Sequence, residues 1–443
     1  MIEPVASGCY GAVSERCAIV GLAFGGRARD DVDRSLDELI GLAVTVGAVV
    51  VQRIVQERGK PDAALFVGRG KAENLARACA DVGIGLVIFD DELTPVQLRN
   101  LEELMACRVI DRTQLILDIF ASRARTREAK LQVELAQLKY LLPRLTGAGV
   151  TLSRLGAGIG TRGPGETKLE TDRRRIRHRI ARLTKDLEAV RRHRTQLRER
   201  RQKGDVPTVA LVGYTNAGKT SLFNLLTGSD MVASTALFAT LDPLLRPLRL
   251  PDRRSVLMSD TVGFIERLPH ALVAAFRATL EEVTGADLLV HVVDASQLDR
   301  KRKMEAVTRV LDGMGASCVP RLLVFNKCDQ LSQLDAANLR TRWPESLIVS
   351  ALTGTGRQDL ARAITRAVDL DTYRVTLELD DTIATGRRRL AQVYRHGRVL
   401  RHISEDGHVS IEAEVPRRIA RRWSSLASCK RDDELGVGRS GLG

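Results

Sequence analysis

The segment Gly213-Tyr214-Thr215-Asn216-Ala217-Gly218-Lys219-Thr220 follows the pattern G-x-x-x-x-G-K-[ST]. Its glycines let the main chain come close to an anion. The apolar run Thr208 to Val212 before it reads as a strand, and Ser221 to Leu226 behind it begins a helix. Amides at that helix start would therefore point at a phosphate, and the helix dipole would favour its charge. In this frame Lys219 spans the terminal phosphates of a nucleotide and the Thr220 hydroxyl ligates Mg²⁺.

Further residues fit the same chemistry. Asp260-Thr261-Val262-Gly263 follows the strand-like Ser255 to Ser259, which puts a carboxylate near the cation and a glycine amide near a γ-phosphate. Thr240, within Phe238-Ala239-Thr240-Leu241-Asp242, lies between these elements, where a second cation-ligating hydroxyl is needed. Asn326-Lys327-Cys328-Asp329 ends the run Leu322 to Phe325. The Asp329 carboxylate can accept two hydrogen bonds from the guanine edge, which adenine does not offer, and an unpaired buried carboxylate would penalise ATP. Lys327 can lie across the base, Asn326 can tie this loop to the phosphate loop, and Ser350-Ala351-Leu352 can supply an amide to the guanine carbonyl. Five elements in this order imply a GTP site with Lys219, Thr240 and Gly263 as the hydrolytic set and Thr220, Thr240 and, through water, Asp260 around Mg²⁺.

Positioning these residues needs a doubly wound α/β domain, and the apolar runs supply it at Thr208 to Val212, Ser255 to Ser259, Leu288 to Val293, Leu322 to Phe325 and Leu347 to Val349. With 443 residues, 44% hydrophobic and 28% charged, the chain has material for several cores. The reading is a multidomain α/β protein. An N-terminal α/β domain with a parallel sheet covers residues 1–122, and a long antiparallel helical hairpin covers 123–205, its glycine-rich loop at 147–166. The GTPase-type domain spans 206–371, a small C-terminal α+β domain 372–430, and a tail 431–443. The hairpin rests on two ladders, Leu131, Leu135, Leu138, Leu142, Leu145 and Ile176, Ile180, Leu183, Leu187, Val190, Leu197. Near the N-terminus, Gly68-Arg69-Gly70-Lys71 opens a helix after Leu65-Phe66-Val67, where amides and Lys71 could face a phosphate or a plain turn could sit.

The net charge of +14 is uneven. Asp172 to Lys203 holds 12 Arg and 2 Lys against 2 Asp and 2 Glu. That asymmetry points to a polyanion partner, and Arg154, Arg162, Arg173, Arg174 and Arg175 are the candidate RNA contacts. The longest apolar stretch, Leu39 to Val51, is too short to span a bilayer, and there is no signal-peptide core. The seven scattered cysteines show no C-x-x-C, as expected for reduced thiols in the cytoplasm.

The run Gly160-Thr161-Arg162-Gly163-Pro164-Gly165-Glu166-Thr167-Lys168-Leu169-Glu170-Thr171-Asp172-Arg173-Arg174-Arg175-Ile176 resembles the signature of HflX-type GTPases in the translation-factor-related class. Ala124 to Leu135 and Val67 to Lys71 are similar to that family too, so the resemblance covers residues 15 to 425. It implies a cytoplasmic protein, with peripheral membrane contact allowed, that is monomeric when free. It implies binding to the large ribosomal subunit and its rRNA, with the N-terminal domain and glycine-rich loop near the peptidyl-transferase region, and GTP-dependent separation of stalled or idle ribosomes under stress. It also allows ATP at the N-terminal domain, and the competing reading is an ATP-dependent rRNA-remodelling enzyme with a regulatory GTPase domain. A metabolic P-loop kinase would leave Asn326 to Asp329 and the basic hairpin without a use. One departure bears on mechanism. Phe264 follows Gly263 where many GTPases carry a water-orienting Gln, and a phenyl ring can neither donate to nor accept from a water.

Overall fold

The computed structural model describes residues 15–145, 164–203, 206–230, 236–251, 255–267, 282–369, 372–380, 382–405 and 408–416. Arg154, Arg162, most of the glycine-rich loop, the expected closing helix beyond Pro416 and the tail lie outside them.

The N-terminal region alternates β1 (Arg16–Ala23), α1 (Arg29–Thr45), β2 (Val49–Glu57), α2 (Arg69–Val82), β3 (Leu86–Phe89), α3 (Pro95–Met105), β4 (Arg108–Asp111) and α4 (Arg112–Arg123). The strands form one parallel sheet in the order β2-β1-β3-β4. β1 and β3 are apolar throughout their inner lengths and buried, as a strand covered by helices on both faces requires. The order reverses direction between β1 and β3, so the carboxyl ends of these two strands flank a crevice. α2 does begin after Gly68, but the Gly68 amide is taken by Gln56 Oε1 at 2.8 Å, and Leu65 to Val67 is a loop with Phe66 at φ 63°.

α5 (Arg127–Arg144) and α6 (Pro164–Lys203) make the hairpin. Pro164 takes the first helical position, where its missing N–H costs nothing, so Gly165 and Glu166 belong to the helix rather than to the loop. The seam joins Leu131, Leu135 and Leu138 to Ile180, Leu183 and Leu187. Fully burying one such side chain stabilises by about 1.5–3 kcal/mol. Arg179 and Glu134 bridge it at 2.7 Å.

The second sheet is built from β5 (Thr208–Gly213), β6 (Leu244–Arg249), β7 (Ser255–Asp260), β8 (Leu288–Asp294), β9 (Arg321–Asn326) and β10 (Leu347–Ile348), in the order β10-β9-β8-β5-β7-β6. All pairs are parallel except β6–β7. It is covered by α7 (Lys219–Thr227), α8 (Arg300–Gly313), α9 (Gln333–Arg342) and α10 (Arg357–Asp369). β6 has no counterpart among the strands expected from sequence. A third sheet, β11 (Thr372–Asp380), β13 (His408–Pro416) and β12 (Arg398–Glu405), is antiparallel and carries α11 (Ala384–His396), with Val375, Val393, Ile411 and Val415 in its core.

The first two units share a core. Phe238, Leu241, Phe264 and Ile265 of the GTPase-type unit pack in the same apolar cluster as Leu39, Leu42, Ile116 and Phe120. Among the described residues no helix is long and apolar enough to cross a membrane.

Candidate nucleotide site

Gly213, Asp260, Asp294 and Asn326 end four neighbouring strands, so their loops open on one edge of the sheet. The phosphate loop turns there into α7. Gly218 has φ 86°, and a Cβ on it would sit 2.2 Å from Asn326 Nδ2. Only glycine allows the two loops to meet so closely. Asn326 fastens them, donating from Nδ2 to Ala217 O (2.9 Å) and accepting the Ala351 amide on Oδ1 (2.9 Å).

A cavity of about 410 Å³ lies along this edge. At one end are Lys219, Thr220, Thr240 and Gly263, and at the other Asn326, Lys327, Asp329, Ala351 and Leu352. Thr220 Oγ1 lies 2.8 Å from both Thr240 Oγ1 and Asp260 Oδ2, and Thr240 donates to the same carboxylate oxygen at 3.0 Å. Asp260 Oδ1 is buried and has no hydrogen-bond partner among the described residues. Three oxygens converging beside an orphaned carboxylate oxygen are the hard donor set that a cation such as Mg²⁺ takes.

Lys219 is buried and donates to Gly213 O (3.2 Å) and Tyr214 O (2.8 Å). Burial brings its ammonium down to about 8, against the opposing pull of Asp260. Burial likewise pushes the Asp260 carboxyl up, although Lys219 and the Thr220 and Thr240 hydroxyls oppose the rise. Each charge is thus under-compensated, and an anion beside Lys219 with a cation beside Asp260 would relieve both.

At the base end, Ser350 Oγ donates to Asp329 Oδ1 (2.5 Å), and Lys327, at φ 65°, is held by Asp294 at 2.7 Å. Cys328 lies in the same short turn. Thr261 donates to Leu211 O (2.5 Å), and Val262 is buried. Ala217, within the phosphate loop, is buried, Asn216 takes φ 59°, and Ala239 and Thr215 line the cavity. Phe238 lines the cavity, and three expected site residues turn elsewhere. Leu241 is buried in the shared core, into which Phe238 also packs, Asp242 bonds to the residues just ahead of α5, and the Tyr214 ring points away towards α1. Phe264 is 3% exposed, and its backbone is zipped to the phosphate loop by Phe264 N to Gly213 O (3.1 Å) and Thr215 N to Phe264 O (2.7 Å). Arg174 and Arg175 are exposed on α6 and Arg173 half-buried, well separated in sequence from this cavity.

Sequence reasoning missed the N-terminal side of the site. The Tyr214 hydroxyl donates to Glu38 and accepts from the Glu266 amide (2.7 Å). Glu38 pairs with Arg112 (2.7 Å), which pairs with Asp90 (2.9 Å), itself bonded by Arg27 (2.9 Å) and Ser35 (2.7 Å). Arg267 closes the ring on Asp91 at 3.1 Å and Asp90 at 3.6 Å. Burial alone would raise the Asp90 carboxyl, but Arg112 and Arg27 hold it below the usual carboxylate range. The one available signal was charge at the strand ends, Arg27 after β1 and Asp90-Asp91 after β3.

Three family models match the chain: GTP-binding GTPase N-terminal (residues 33–121), GTP-binding GTPase Middle Region (123–201) and 50S ribosome-binding GTPase (208–327). The GTPase HflX of Caldanaerobacter subterraneus subsp. tengcongensis is 46% identical over 88% of this chain and 89% of its own. That of Escherichia coli is 44% identical over 93% and 97%. Among solved structures, a GTP-binding protein from the archaeon Sulfolobus solfataricus in complex with GDP aligns at 25% identity with a TM-score of 0.43, covering 80% of this chain and 98% of that one. The identity to the HflX GTPases, sustained over nearly the whole length of both chains, places the chain in the HflX family of P-loop GTPases, enzymes that hydrolyse GTP.

Proposed function

We propose that this GTPase binds the large ribosomal subunit, dissociates stalled or idle ribosomes while loaded with GTP, and hydrolyses GTP faster when the ribosome holds it. The cavity residues take the roles their geometry suits. Lys219 neutralises the terminal phosphates, the Gly263 amide donates to the γ-phosphate, and Asp329 and Lys327 select and cover the guanine. Thr220, Thr240 and, through water, Asp260 would hold Mg²⁺, which when bound would offset charge on the β- and γ-phosphates. Water attacks the γ-phosphorus, the bond to the β-phosphate bridging oxygen breaks, and the products are GDP and phosphate.

Phe264 carries the ribosome-dependent part of this reading. Its ring is packed in the shared core, so no side chain at that position can orient the attacking water. A partner that orders the switch segments around Thr240 and Gly263 would complete the site. The basic face of α6, with Arg173, Arg174 and Arg175, suits rRNA as that partner, and the relatives' family description names the 50S subunit. Arg154 and Arg162, outside the described residues, belong to the same proposed contact. ATP-driven remodelling has less support, because the Gly68 amide is already occupied by Gln56.

The test is single-turnover GTP hydrolysis with and without large subunits, alongside sedimentation of whole ribosomes with the protein and a non-hydrolysable GTP analogue. Faster hydrolysis on the subunit and analogue-dependent dissociation are expected. Equal rates, or ribosomes that stay whole, would reject the proposal.

A further inference from the structure

Thr240 reaches the cavity from a segment, residues 236–242, that forms no helix or strand. Such switch segments are commonly ordered by the γ-phosphate and its cation. Here protein contacts pin the segment on both sides of Thr240. Ahead of it, Phe238 takes φ 58°, is 2% exposed and sets its ring 4.7 Å from that of Phe120, while the Leu237 amide donates to Thr45 Oγ1 at 3.1 Å. Behind it, Asp242 Oδ2 accepts from the amides of Arg125 and Thr126, each at 3.1 Å, and Oδ1 accepts the Thr126 hydroxyl.

Those two amides lie just ahead of α5, at its N-cap and the residue before it. Thr126 is its N-cap, and the Thr126 hydroxyl oxygen also accepts from the Ala129 amide at 3.1 Å. A carboxylate beside the N-terminus of a helix is favoured by the dipole, and its bonds to amides are charge-assisted and strong. One side chain therefore holds the start of the hairpin and, two residues away, the hydroxyl that meets Thr220 and Asp260. The rest of the hairpin follows α5, because the leucine seam and the Arg179–Glu134 pair tie α6 to it.

We infer that Asp242 is a positioning residue for GTP hydrolysis. Seated on the N-cap residue Thr126 and the Arg125 amide before it, it holds Thr240 at the metal position and couples the nucleotide state to the orientation of the helical hairpin. The inference rests on the reading of Thr240 as a metal-side switch hydroxyl. The coupling is reciprocal: whatever displaces α5 withdraws Thr240, and whatever fixes Thr240 fixes the base of α5. A partner that grips the far end of the hairpin then acts on the hydrolytic site through this contact. GDP has no γ-phosphate and places little demand on Thr240, so the contact discriminates between the two nucleotides.

The experiment uses the full chain and the variants Asp242→Ala, Asp242→Asn and Thr240→Ala. Affinities for GDP and for a non-hydrolysable GTP analogue are measured with Mg²⁺, together with single-turnover hydrolysis and hydrogen exchange at the Arg125 and Thr126 amides. Asp242→Ala should weaken the analogue about tenfold, a typical coupling strength, and slow hydrolysis of bound GTP similarly while leaving GDP affinity unchanged. Asp242→Asn, whose amide oxygen can still accept, should fall between. In the wild type the two amides should exchange more slowly with the analogue than with GDP, Asp242→Asn should narrow that difference and Asp242→Ala should abolish it. Equal weakening of both nucleotides would mark Asp242 as a helix cap only and overturn the inference. So would amide exchange that ignores the nucleotide. If Thr240→Ala itself leaves Mg²⁺-dependent analogue binding intact, the underlying reading of Thr240 fails; if Thr240→Ala acts and Asp242→Ala does not, only the coupling fails.

Discussion

Replacing Gly263 by alanine should separate hydrolysis from nucleotide binding. A Cβ there would lie 2.8 Å from Thr215 Cγ2, 2.9 Å from Thr215 Cα and 3.0 Å from Lys219 Nζ. Non-bonded carbons are comfortable at about 3.5–4.0 Å, so the overlap is more than half an ångström. The Thr215 side chain could rotate, but its Cα belongs to the phosphate loop and cannot. Release in the other direction is resisted by the two backbone bonds of Phe264 to Gly213 and Thr215. Overpacking of this kind costs about 1–3 kcal/mol, and the least tethered atoms, those of residue 263 itself, should move. That shift carries the amide away from the γ-phosphate position. Loss of one preorganised donor to developing charge lowers turnover by about 10²–10³-fold. Phosphate release from Gly263→Ala at saturating GTP should fall by about 100-fold, while GDP affinity, which does not involve that amide, is retained. Gly59 supplies the control, since a Cβ there meets nothing within 4 Å and Gly59→Ala should behave as wild type. Wild-type turnover by Gly263→Ala would refute the assignment of its amide to the γ-phosphate.

Asp329→Asn should lower GTP affinity by about 100-fold and raise affinity for xanthosine triphosphate, whose C2 oxygen accepts where guanine donates; displacement of a fluorescent nucleotide reads both, and unchanged GTP binding refutes the base-loop assignment. His291, buried behind the phosphate loop, gives a stability prediction. Burial, helped by Arg321 and Lys219, lowers it to about 4 from 6.5, so between those values the unfolded chain binds a proton that the folded chain does not. Its contribution to stability is therefore fully present above pH 6.5 and is lost as pH falls towards 4, by about 3 kcal/mol in total. Chemical denaturation of His291→Gln across that range should show a shallower fall than the wild type, and identical slopes would refute it.

What the sequence disclosed and what it hid divide along a physical line. The phosphate loop, the Asp260 to Gly263 turn and the Asn326 to Asp329 turn are local: each needs particular residue types within a few positions of one another, so pattern alone exposes them. The hairpin seam was legible for the same reason, since Leu131, Leu135, Leu138 and Ile180, Leu183, Leu187 repeat at helical spacing. β6 was not. Its Pro247 argues against a strand unless the strand is at an edge, and its edge position and antiparallel pairing appear only when β7 is alongside.

The N-terminal grip on the switch segments was hidden for a deeper reason. Glu38, Arg112 and Arg267 look in sequence like ordinary surface charges, yet Arg112 is 3% exposed. An ionised group is stable in such a place only with partners in hand, and its partners come from α1, from the end of β3 and, through Glu266 O at 3.4 Å, from the switch itself. The crevice between the ends of β1 and β3 is where a doubly wound sheet ordinarily admits a ligand. In this chain Arg27 and Arg267 meet there, one from each unit, both paired with Asp90 and Asp91. Arg267 ties the segment that follows Gly263 to this end of the sheet. A displacement of that segment on nucleotide exchange would have to break or carry with it the Arg267 pairs. The N-terminal sheet is thereby part of the energetics of the switch, and the hydrolytic centre cannot be understood from its nucleotide-binding motifs alone.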